Sequence, residues 1–287
     1  PHDMKLARFS VNGVTRLGKV VGDQIIDLSA VVPGVGNSMR MLLEVLAEAR
    51  PAIDAADSPS LPLASVTLEA PIADPQKYLA IGMNYQSHVD EAAAAGVTAP
   101  PTQIWFNKQV SCINGPYANV DVPKSGPDKV DYEAELGVVI GKRCRHVSRE
   151  DARSVIAGYL VCNDVTARDW QFRSPTFTLG KSFDTHGPIG PWITTDDEIA
   201  DPHALTLTLE LNGEERQRAT TGDMIYDIYD QISYLSEVMT LEPGDLIATG
   251  TPAGVGIAAQ RFMKDGDVVR VSVEGLGSIE NRFVNEA

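Results

Sequence analysis

The chain of 287 residues carries 24 lysines and arginines against 39 aspartates and glutamates, a formal net charge of −15. This acidity disfavours nucleic acids and anionic membranes as partners, because both repel a negatively charged surface. No apolar run approaches the ~20 residues of a membrane-spanning helix and no secretion signal is recognised at the start, so we expect a cytoplasmic protein.

The first part of the sequence predicts a small β-rich unit. Short strands are predicted over residues 5–9, 15–21 and 24–28, and a helix capped by Ser38 over residues 38–49. Five prolines between residues 51 and 75 predict a linker, because proline breaks helices and removes strand donors. We therefore expect an N-terminal domain of residues 4–70 and a larger domain of residues 71–287.

Strands dominate the predicted elements of the larger domain. Helices are predicted only over residues 85–95, 149–156 and 228–239. The strands are predicted over residues 78–81, 104–106, 132–140, 158–163, 205–211, 245–249, 267–273 and 278–283. Because helices and strands do not alternate one for one, the pattern favours a β-rich α+β fold over a doubly wound or barrel α/β fold.

The most informative segment begins at Asp131 and reads DYEAELGVVI. Because side chains alternate along a strand, Asp131, Glu133 and Glu135 are predicted on one face. Glu133 and Glu135 would stand about 6.6 Å apart along the strand and repel each other unless a cation lies between them. Oxygen ligands alone favour Mg²⁺, Mn²⁺ or Ca²⁺ over Zn²⁺. A solvated edge strand is the alternative, but Gly137 and Val139 continue the acidic face as an apolar one, which favours a partly buried site.

A third carboxylate is expected from Asp164, where the apolar run of residues 158–162 ends as a buried strand would. Arg168 and Gln171 follow four and seven residues later, which in a helical turn aligns the three side chains. The carboxylate would bind a cation, the guanidinium a substrate carboxylate and the amide a substrate carbonyl. Together these three groups suit a small oxo acid. The alternative is that Asp164 caps a short helix and pairs with Arg168.

His88 and Glu91 lie three residues apart in a predicted helix, so their side chains are neighbours. A carboxylate beside an imidazole fixes its tautomer and raises its basicity, as a general base requires. The short helix ends abruptly at Gly96, which is typical of a lid that a substrate orders. A surface histidine beside a glutamate is the simpler alternative.

Two further segments supply candidates for binding negative charge. Lys181, in the stretch GKSFDT, is the best candidate for a fixed cation, although lysines usually lie on surfaces. The glycine-rich turn that follows Thr249 offers backbone N–H groups for an anion, and Thr251 adds a hydroxyl. The sequence contains no G-x-S-x-G, S-x-x-K or H-E-x-x-H motif, which disfavours serine-hydrolase and zinc-protease mechanisms.

Over about residues 75–284 these segments resemble the fumarylacetoacetate hydrolase family. Each motif alone is weakly specific, whereas five in this order are highly specific. They are Gly82-x-Asn84-Tyr85-x-x-His88-x-x-Glu91, Asp131-Tyr-Glu133-Ala-Glu135-Leu, Asn163-Asp164-x-x-x-Arg168-Asp-x-Gln171, Gly180-Lys181-x-Phe-Asp-Thr185 and Thr249-Gly250-Thr251-Pro.

The resemblance implies a mixed β-roll catalytic domain that forms homodimers and carries a small β-rich N-terminal domain. It also implies that Mg²⁺ or Mn²⁺ binds between three carboxylates and that an acid–base dyad sits on a lid helix. The implied metal ligands are Glu133, Glu135 and Asp164, the implied catalytic residues are His88, Glu91 and Lys181, and the implied substrate-binding residues are Asn84, Tyr85, Arg168, Gln171, Gly250 and Thr251.

We therefore expect a metal-dependent hydrolase that cleaves a carbon–carbon bond in a 2,4-dioxo acid similar to an acylpyruvate or fumarylacetoacetate. The same site would serve a tautomerase or isomerase acting on oxaloacetate or on 2-hydroxyhepta-2,4-diene-1,7-dioate, or an oxaloacetate decarboxylase. A cation-binding protein without enzymatic activity is the third alternative. Substrate choice is expected to depend on Trp170 and residues 172–179, where the sequence departs most from the motifs.

Overall fold

The computed structural model describes residues 4–287, and strands outnumber helices in it. This is the strand-rich α+β fold that the sequence predicts. Numbered along the chain, the strands are β1 (Lys5–Val11), β2 (Val14–Val21), β3 (Gln24–Asp27), β4 (Ser60–Pro62), β5 (Thr67–Glu69), β6 (Tyr78–Gly82), β7 (Ile104–Asn107), β8 (Ile113–Asn114), β9 (Val120–Val122), β10 (Val130–Asp131), β11 (Ala134–Ile140), β12 (Ile156–Asn163), β13 (Thr166–Ala167), β14 (Gly187–Thr195), β15 (Thr206–Leu211), β16 (Glu214–Thr220), β17 (Leu246–Ala248), β18 (Val268–Val273) and β19 (Gly277–Asn285). The helices are α1 (Met39–Glu44), α2 (Leu46–Ala55), α3 (Gln86–Ala94), α4 (Arg168–Gln171), α5 (Ile228–Val238) and α6 (Gly256–Ala259).

Twelve of the described strands form one large sheet. Its main path runs β4-β3-β2-β1-β14-β12-β11-β17-β6-β7, while β5 pairs with β1 and β8 pairs with β14. A second sheet has the order β16-β15-β18-β19-β9, and β10 pairs with β13. Most neighbouring strands are antiparallel, but β17 and β6 run parallel, so the large sheet is mixed.

The N-terminal strands belong to the large sheet. Strand β1 pairs with β14, where Leu6 lies opposite Ile193. The side chain of Leu42 in α1 belongs to the same buried cluster as Val139 and Leu160 of the central strands. One sheet and one apolar core thus extend across residue 70, and a domain boundary there stays a prediction.

Strand β11 positions the acidic residues through its alternating faces. Leu136, Val138 and Ile140 point into the core between the two sheets. Val139 points to the opposite face, where it packs in the cluster that contains α1. Glu135 has the same parity as Val139 and therefore belongs to this second face, in agreement with the alternation read from the sequence. Its carboxylate accordingly lies on the side of the large sheet away from the second sheet.

Strand β14 is the main element that the sequence analysis missed. Pro188 and Pro191 lie within it, and proline offers no N–H for a strand ladder. Nevertheless β14 lies between β1 and β12, and its register with β12 shifts between Tyr159 and Val161. The irregular register reduces the number of donors that β14 must supply, which explains how a strand containing two prolines occupies an inner position.

The helix predicted over residues 38–49 is wrong in its extent. Two helices replace it, since α1 ends before Val45 and α2 then continues through Pro51 to Ala55. The exposed ring of Pro51 faces solvent while Ile53 anchors the helix in the core. The predicted proline-rich linker therefore holds the end of α2 as well as β4 and β5. The helix predicted over residues 149–156 is a 3₁₀ helix of residues 149–155, and α3 and α5 confirm the other two helix predictions.

Across residues 4–287, none of the helices has both the length and the apolar composition to span a lipid bilayer.

Candidate active site and metal centre

Three carboxylates meet where β11 and β12 lie side by side. Ala134 pairs with Asn163, so the next residues outward, Glu133 and Asp164, are neighbours across the ladder. The backbone amide of Asp164 donates to the carbonyl of Glu133 at 2.9 Å. One carboxylate oxygen each from Glu133, Glu135 and Asp164 lies within 4.8 Å of the others. The structure thus brings the three predicted metal ligands together.

The carboxyl group of Glu135 is buried and lies close to the two other carboxylates. Its Oε1 accepts a hydrogen bond from the backbone amide of Gly250 at 2.8 Å. Burial, and then the negative charges of Asp164 and Glu133, raise the pKa of Glu135 well above its ordinary value. Three buried carboxylates that repel one another form an arrangement that a bound cation relieves.

Two buried lysines neutralise part of this charge. Lys181 Nζ donates to Glu133 Oε1 and to Asp164 Oδ2, each at 3.0 Å. Lys108 Nζ donates to Asp164 Oδ1 at 2.7 Å and to the Val165 carbonyl at 3.1 Å. Burial acts to raise the pKa of Asp164, but the two ammonium groups outweigh it and hold that pKa below its usual range. Lys181 therefore lies among the carboxylates as the fixed cation that the sequence analysis expects.

Lys108 is the functional residue that the sequence analysis missed. It follows directly on the apolar strand β7 and is 1% exposed. A similar signal, a polar residue shortly after a run of apolar residues, is what indicated Asp164 at the end of β12. The signal was present, but the antiparallel and parallel pairings that bring β7 near β12 could not be read from the sequence.

Arg168 lies in an ion-pair cluster at the wall of the site. Its Nε donates to Asp131 Oδ2 at 2.9 Å, and its Nη2 lies 2.9 Å from Glu133 Oε2. Its Nη1 donates to Gln171 Oε1 at 3.0 Å. The predicted helical turn from Asp164 to Gln171 is wrong, because α4 begins only at Arg168 and β13 intervenes. The alternative pairing of Asp164 with Arg168 is also wrong, since both oxygens of Asp164 bind lysines.

The predicted dyad forms on α3. His88 Nδ1 and Glu91 Oε1 are 3.0 Å apart, and Glu91 Oε2 accepts from the backbone amide of Gly254 at 2.9 Å. A second contact joins α3 to the same loop, where the amide of Ala253 donates to Ser87 Oγ at 3.0 Å. Both oxygens of Glu91 are therefore bound, which fixes the orientation of the carboxylate that faces the imidazole.

The turn after β17 depends on a buried asparagine. Gly250 has a φ of +102°, and a Cβ there would lie 2.9 Å from Asn84 Cβ, so this position requires glycine. The side-chain amide of Asn84 donates to the Thr249 carbonyl at 3.0 Å, and its oxygen accepts from the Tyr226 amide at 2.9 Å. Asn84 thus supports the loop that presents Gly250 to Glu135.

A cavity of about 490 Å³ opens beside these groups. The predicted site residues that line it are His88, Glu91, Glu133, Arg168, Gln171, Lys181 and Thr251. The other predicted residues are buried and do not line the cavity; they are Asn84, Tyr85, Glu135, Asp164 and Gly250. The acid–base dyad and one edge of the acidic triad therefore face the same volume.

The donor set fits a hard divalent cation. Within residues 4–287 the cluster consists of carboxylates only, without histidine or cysteine, which favours Mg²⁺ or Mn²⁺ over Zn²⁺. The ammonium of Lys181 already binds one oxygen of Glu133 and one of Asp164, so the position between these side chains accommodates positive charge. Burial and the neighbouring charges of Asp164 and Glu133 both raise the pKa of Glu135, and a cation bound at this position would favour its charged form.

Comparisons with known proteins found a family model that matches most of the chain and relatives that match nearly all of it. A family model described as fumarylacetoacetate (FAA) hydrolase C-terminal matches residues 77–284. Human oxaloacetate tautomerase FAHD2A, a mitochondrial protein, is 40% identical over 294 residues, which cover 98% of this chain and 92% of that protein.

Two crystal structures share the fold. Maleylpyruvate hydrolase from Sphingobium sp. SYK-6, in complex with manganese(II) and pyruvate, is 37% identical with a TM-score of 0.83, covering 99% of this chain and 100% of that one. The 2-hydroxyhepta-2,4-diene-1,7-dioate isomerase of Mycobacterium marinum is 33% identical with a TM-score of 0.79, covering 99% of each chain. These three relatives are named as a tautomerase, a hydrolase and an isomerase.

Proposed function

The chain belongs to the fumarylacetoacetate hydrolase family, and we propose that it is a divalent-metal-dependent hydrolase of a carbon–carbon bond in a small 2,4-dioxo acid. The observation that carries the proposal is that the dyad of His88 and Glu91 lines the same cavity as Glu133 of the acidic triad. A general base and a cation site that face one small volume are the two groups that this hydrolysis requires.

Glu133, Glu135 and Asp164 would hold Mg²⁺ or Mn²⁺. The manganese in the related maleylpyruvate hydrolase supports this assignment. When bound, the cation supplies positive charge that orients the 2-oxo acid and stabilises negative charge developing on it.

His88 acts as the general base. Its Nδ1 faces Glu91 at 3.0 Å, so the hydrogen lies on Nδ1 and Nε2 is free to take a proton from water. The water oxygen bonds to C4 of the substrate, and the C3–C4 bond breaks with its electron pair going to C3. The proton that His88 has taken is returned to C3. One water is consumed, and the products are a carboxylic acid and a shorter 2-oxo acid.

Lys181 and Gln171 supply donors for substrate oxygens. Lys181 donates two of its three N–H groups to carboxylates, which leaves one donor for the substrate. Gln171 accepts from Arg168 through Oε1, so the N–H groups of its amide are left to donate. These neutral and cationic donors stabilise the negative charge that develops when the bond breaks.

A 2-oxo acid tautomerase is the second candidate. The identity of 40% with a human oxaloacetate tautomerase favours it. The dyad would then move a proton between carbon and oxygen without consuming water.

Product masses separate the candidates. We expect acylpyruvates incubated with the protein and Mg²⁺ or Mn²⁺ to give two products whose masses sum to that of substrate plus water, and no reaction in EDTA. His88→Asn should lower kcat at least 100-fold, while His146→Asn, at an exposed position, leaves it unchanged. A single product of unchanged mass would contradict hydrolysis and favour the tautomerase, and loss of carbon dioxide would favour a decarboxylase.

A further inference from the structure

We propose, resting on the hydrolase function above, that the substrate carries an uncharged apolar acyl tail rather than a second carboxylate. The cavity of about 490 Å³ is larger than a bare four-carbon oxo acid requires, and it lies within the ~300–1,000 Å³ typical of sites for larger ligands. The chemistry of the lining away from the reaction centre therefore indicates which group the substrate carries beyond its 2-oxo acid end.

The charged groups of the lining are confined to the reaction centre. Among the described residues that line the cavity, the charged or titratable ones are His88, Glu91, Glu133, Arg168 and Lys181. The two cations are already bound, since Arg168 pairs with Asp131 and Glu133, and Lys181 with Glu133 and Asp164. The described lining thus offers no further cation for a second substrate carboxylate.

An apolar wall starts directly next to the reaction centre. Lys181 Nζ lies 4.8 Å from the centre of the Phe106 ring. The ring of Phe177 packs edge-on against Phe106, with 6.0 Å between the ring centres. Ile104 lies two residues before Phe106 on β7, and both line the cavity. Strand β7 and the segment containing Phe177 thus form a continuous apolar surface that leads away from Lys181.

The other walls are also uncharged. Further apolar lining residues come from α3 and the segment after it and from α6 and the residue before it, and the remaining polar ones are neutral. Among the apolar ones are Ala92, Ala95, Val97, Val255, Ile257 and Ala258, and the neutral polar ones outside the reaction centre are Thr98 and Gln260. The amide of Gln260 already donates to the Ile257 carbonyl at 2.7 Å.

A carboxylate at this end would lose water without gaining a cation. Removal of an unpaired charge from water is strongly unfavourable, whereas burial of a methylene is favourable. The lining therefore selects for alkyl or aryl tails and against terminal carboxylates. Phe177 lines the cavity and its ring packs against Phe106 in the apolar wall, so we expect it to determine this specificity.

Turnover of a matched substrate series tests the inference. We expect kcat/KM to rise about fourfold per added methylene from a methyl to a butyl 2,4-dioxo acid, and an analogue of the butyl compound with a terminal carboxylate to react at least tenfold more slowly. Phe177→Ala should lower kcat/KM about tenfold for the butyl substrate and less than twofold for the methyl one. Tyr234→Ala, which removes an exposed aromatic ring on α5 that is absent from the lining, is the matched control.

Binding tests the same inference independently of turnover. Calorimetry in the presence of Mn²⁺ should show 2-oxohexanoate binding at least tenfold more tightly than 2-oxoadipate, which has the same length and a terminal carboxylate. Equal or tighter binding of 2-oxoadipate would overturn the apolar tail site. If no dioxo acid is hydrolysed, the proposed function fails while the binding preference still decides this inference.

Discussion

Lys108 illustrates at the scale of one residue how the site tolerates buried charge. Its ammonium is buried against Asp164 Oδ1 at 2.7 Å, opposite the oxygen that Lys181 binds. A buried carboxylate that loses one partner is left with uncompensated charge, which is strongly destabilising. Lys108 therefore fixes Asp164 in place without lining the cavity, as a positioning residue.

The loss of stability on substitution of Lys108 should depend on whether the metal is bound. We expect Lys108→Met to lower the free energy of unfolding of the metal-free protein by about 3 kcal/mol, and by less in Mn²⁺, because the cation replaces the lost positive charge. Urea unfolding with EDTA or Mn²⁺ measures both values. Lys142→Met, at an exposed lysine, is the control and should change stability little. A loss that is equal with and without Mn²⁺ would contradict the role given to Lys108.

The buried side chain of His186 should make the stability of the fold sensitive to acid. The side chain is buried, and Nε2 donates to the Asp121 carbonyl at 2.8 Å. Burial lowers the pKa of His186 to about 4. The unfolded chain binds this proton more readily than the folded one. The free energy of unfolding therefore keeps its full value above about pH 6.5 and decreases as the pH falls towards 4.

The size of this step can be measured directly. We expect up to about 3 kcal/mol of unfolding free energy to be lost between pH 6.5 and 4 because of His186. In His186→Gln this part of the pH dependence should disappear, although its stability at neutral pH is lower. His146→Asn, at an exposed histidine, should keep the wild-type profile. A wild-type profile in His186→Gln would show that other groups cause the acid sensitivity.

At the scale of elements, α3 is held by few contacts. None of its side chains is fully buried, and two hydrogen bonds, to Ser87 Oγ and Glu91 Oε2, join it to the loop of Ala253 and Gly254. Elements with little buried apolar surface open at low free-energy cost. A lid role for α3 stays a prediction, and the alignment of His88 depends on these two bonds.

Removal of one bond should loosen α3 without unfolding the protein. We expect Ser87→Ala to lower kcat/KM about fivefold, the equivalent of one hydrogen bond of about 1 kcal/mol, and to speed amide hydrogen exchange in α3. Gln86→Ala is the control, because Gln86 bonds only to Asp90 within the helix. Unchanged exchange and activity in Ser87→Ala would contradict the anchoring role of the loop.

The elements also show what a sequence can and cannot predict. The alternation of apolar residues along β11 and the polar residues at the end of β12 predicted the acidic cluster, because both signals are local. Strand β14 was missed because its two prolines oppose strand structure locally, and only the neighbouring strands overcome this. Lys108 was missed because its partner, Asp164, is 56 residues away, and no local pattern indicates which strands become neighbours.

At the scale of the whole molecule, the family match confirms the resemblance that the five motifs indicated. The large sheet joins the N-terminal strands to the strands that carry the site. We therefore expect the metal-free chain to unfold in a single cooperative transition, with coincident curves from calorimetry, circular dichroism and tryptophan fluorescence. A separate early transition in circular dichroism would instead indicate that residues 4–70 unfold independently. The cytoplasmic location and the homodimer remain predictions.

The position of the metal tests the central claim most directly. Crystals of the wild-type protein soaked in MnCl₂ and pyruvate should give an anomalous peak at the manganese edge between the carboxylates of Glu133, Glu135 and Asp164, with pyruvate in the cavity facing His88. A peak elsewhere, or these three carboxylates turned apart with no manganese between them at saturating concentration, would contradict the account.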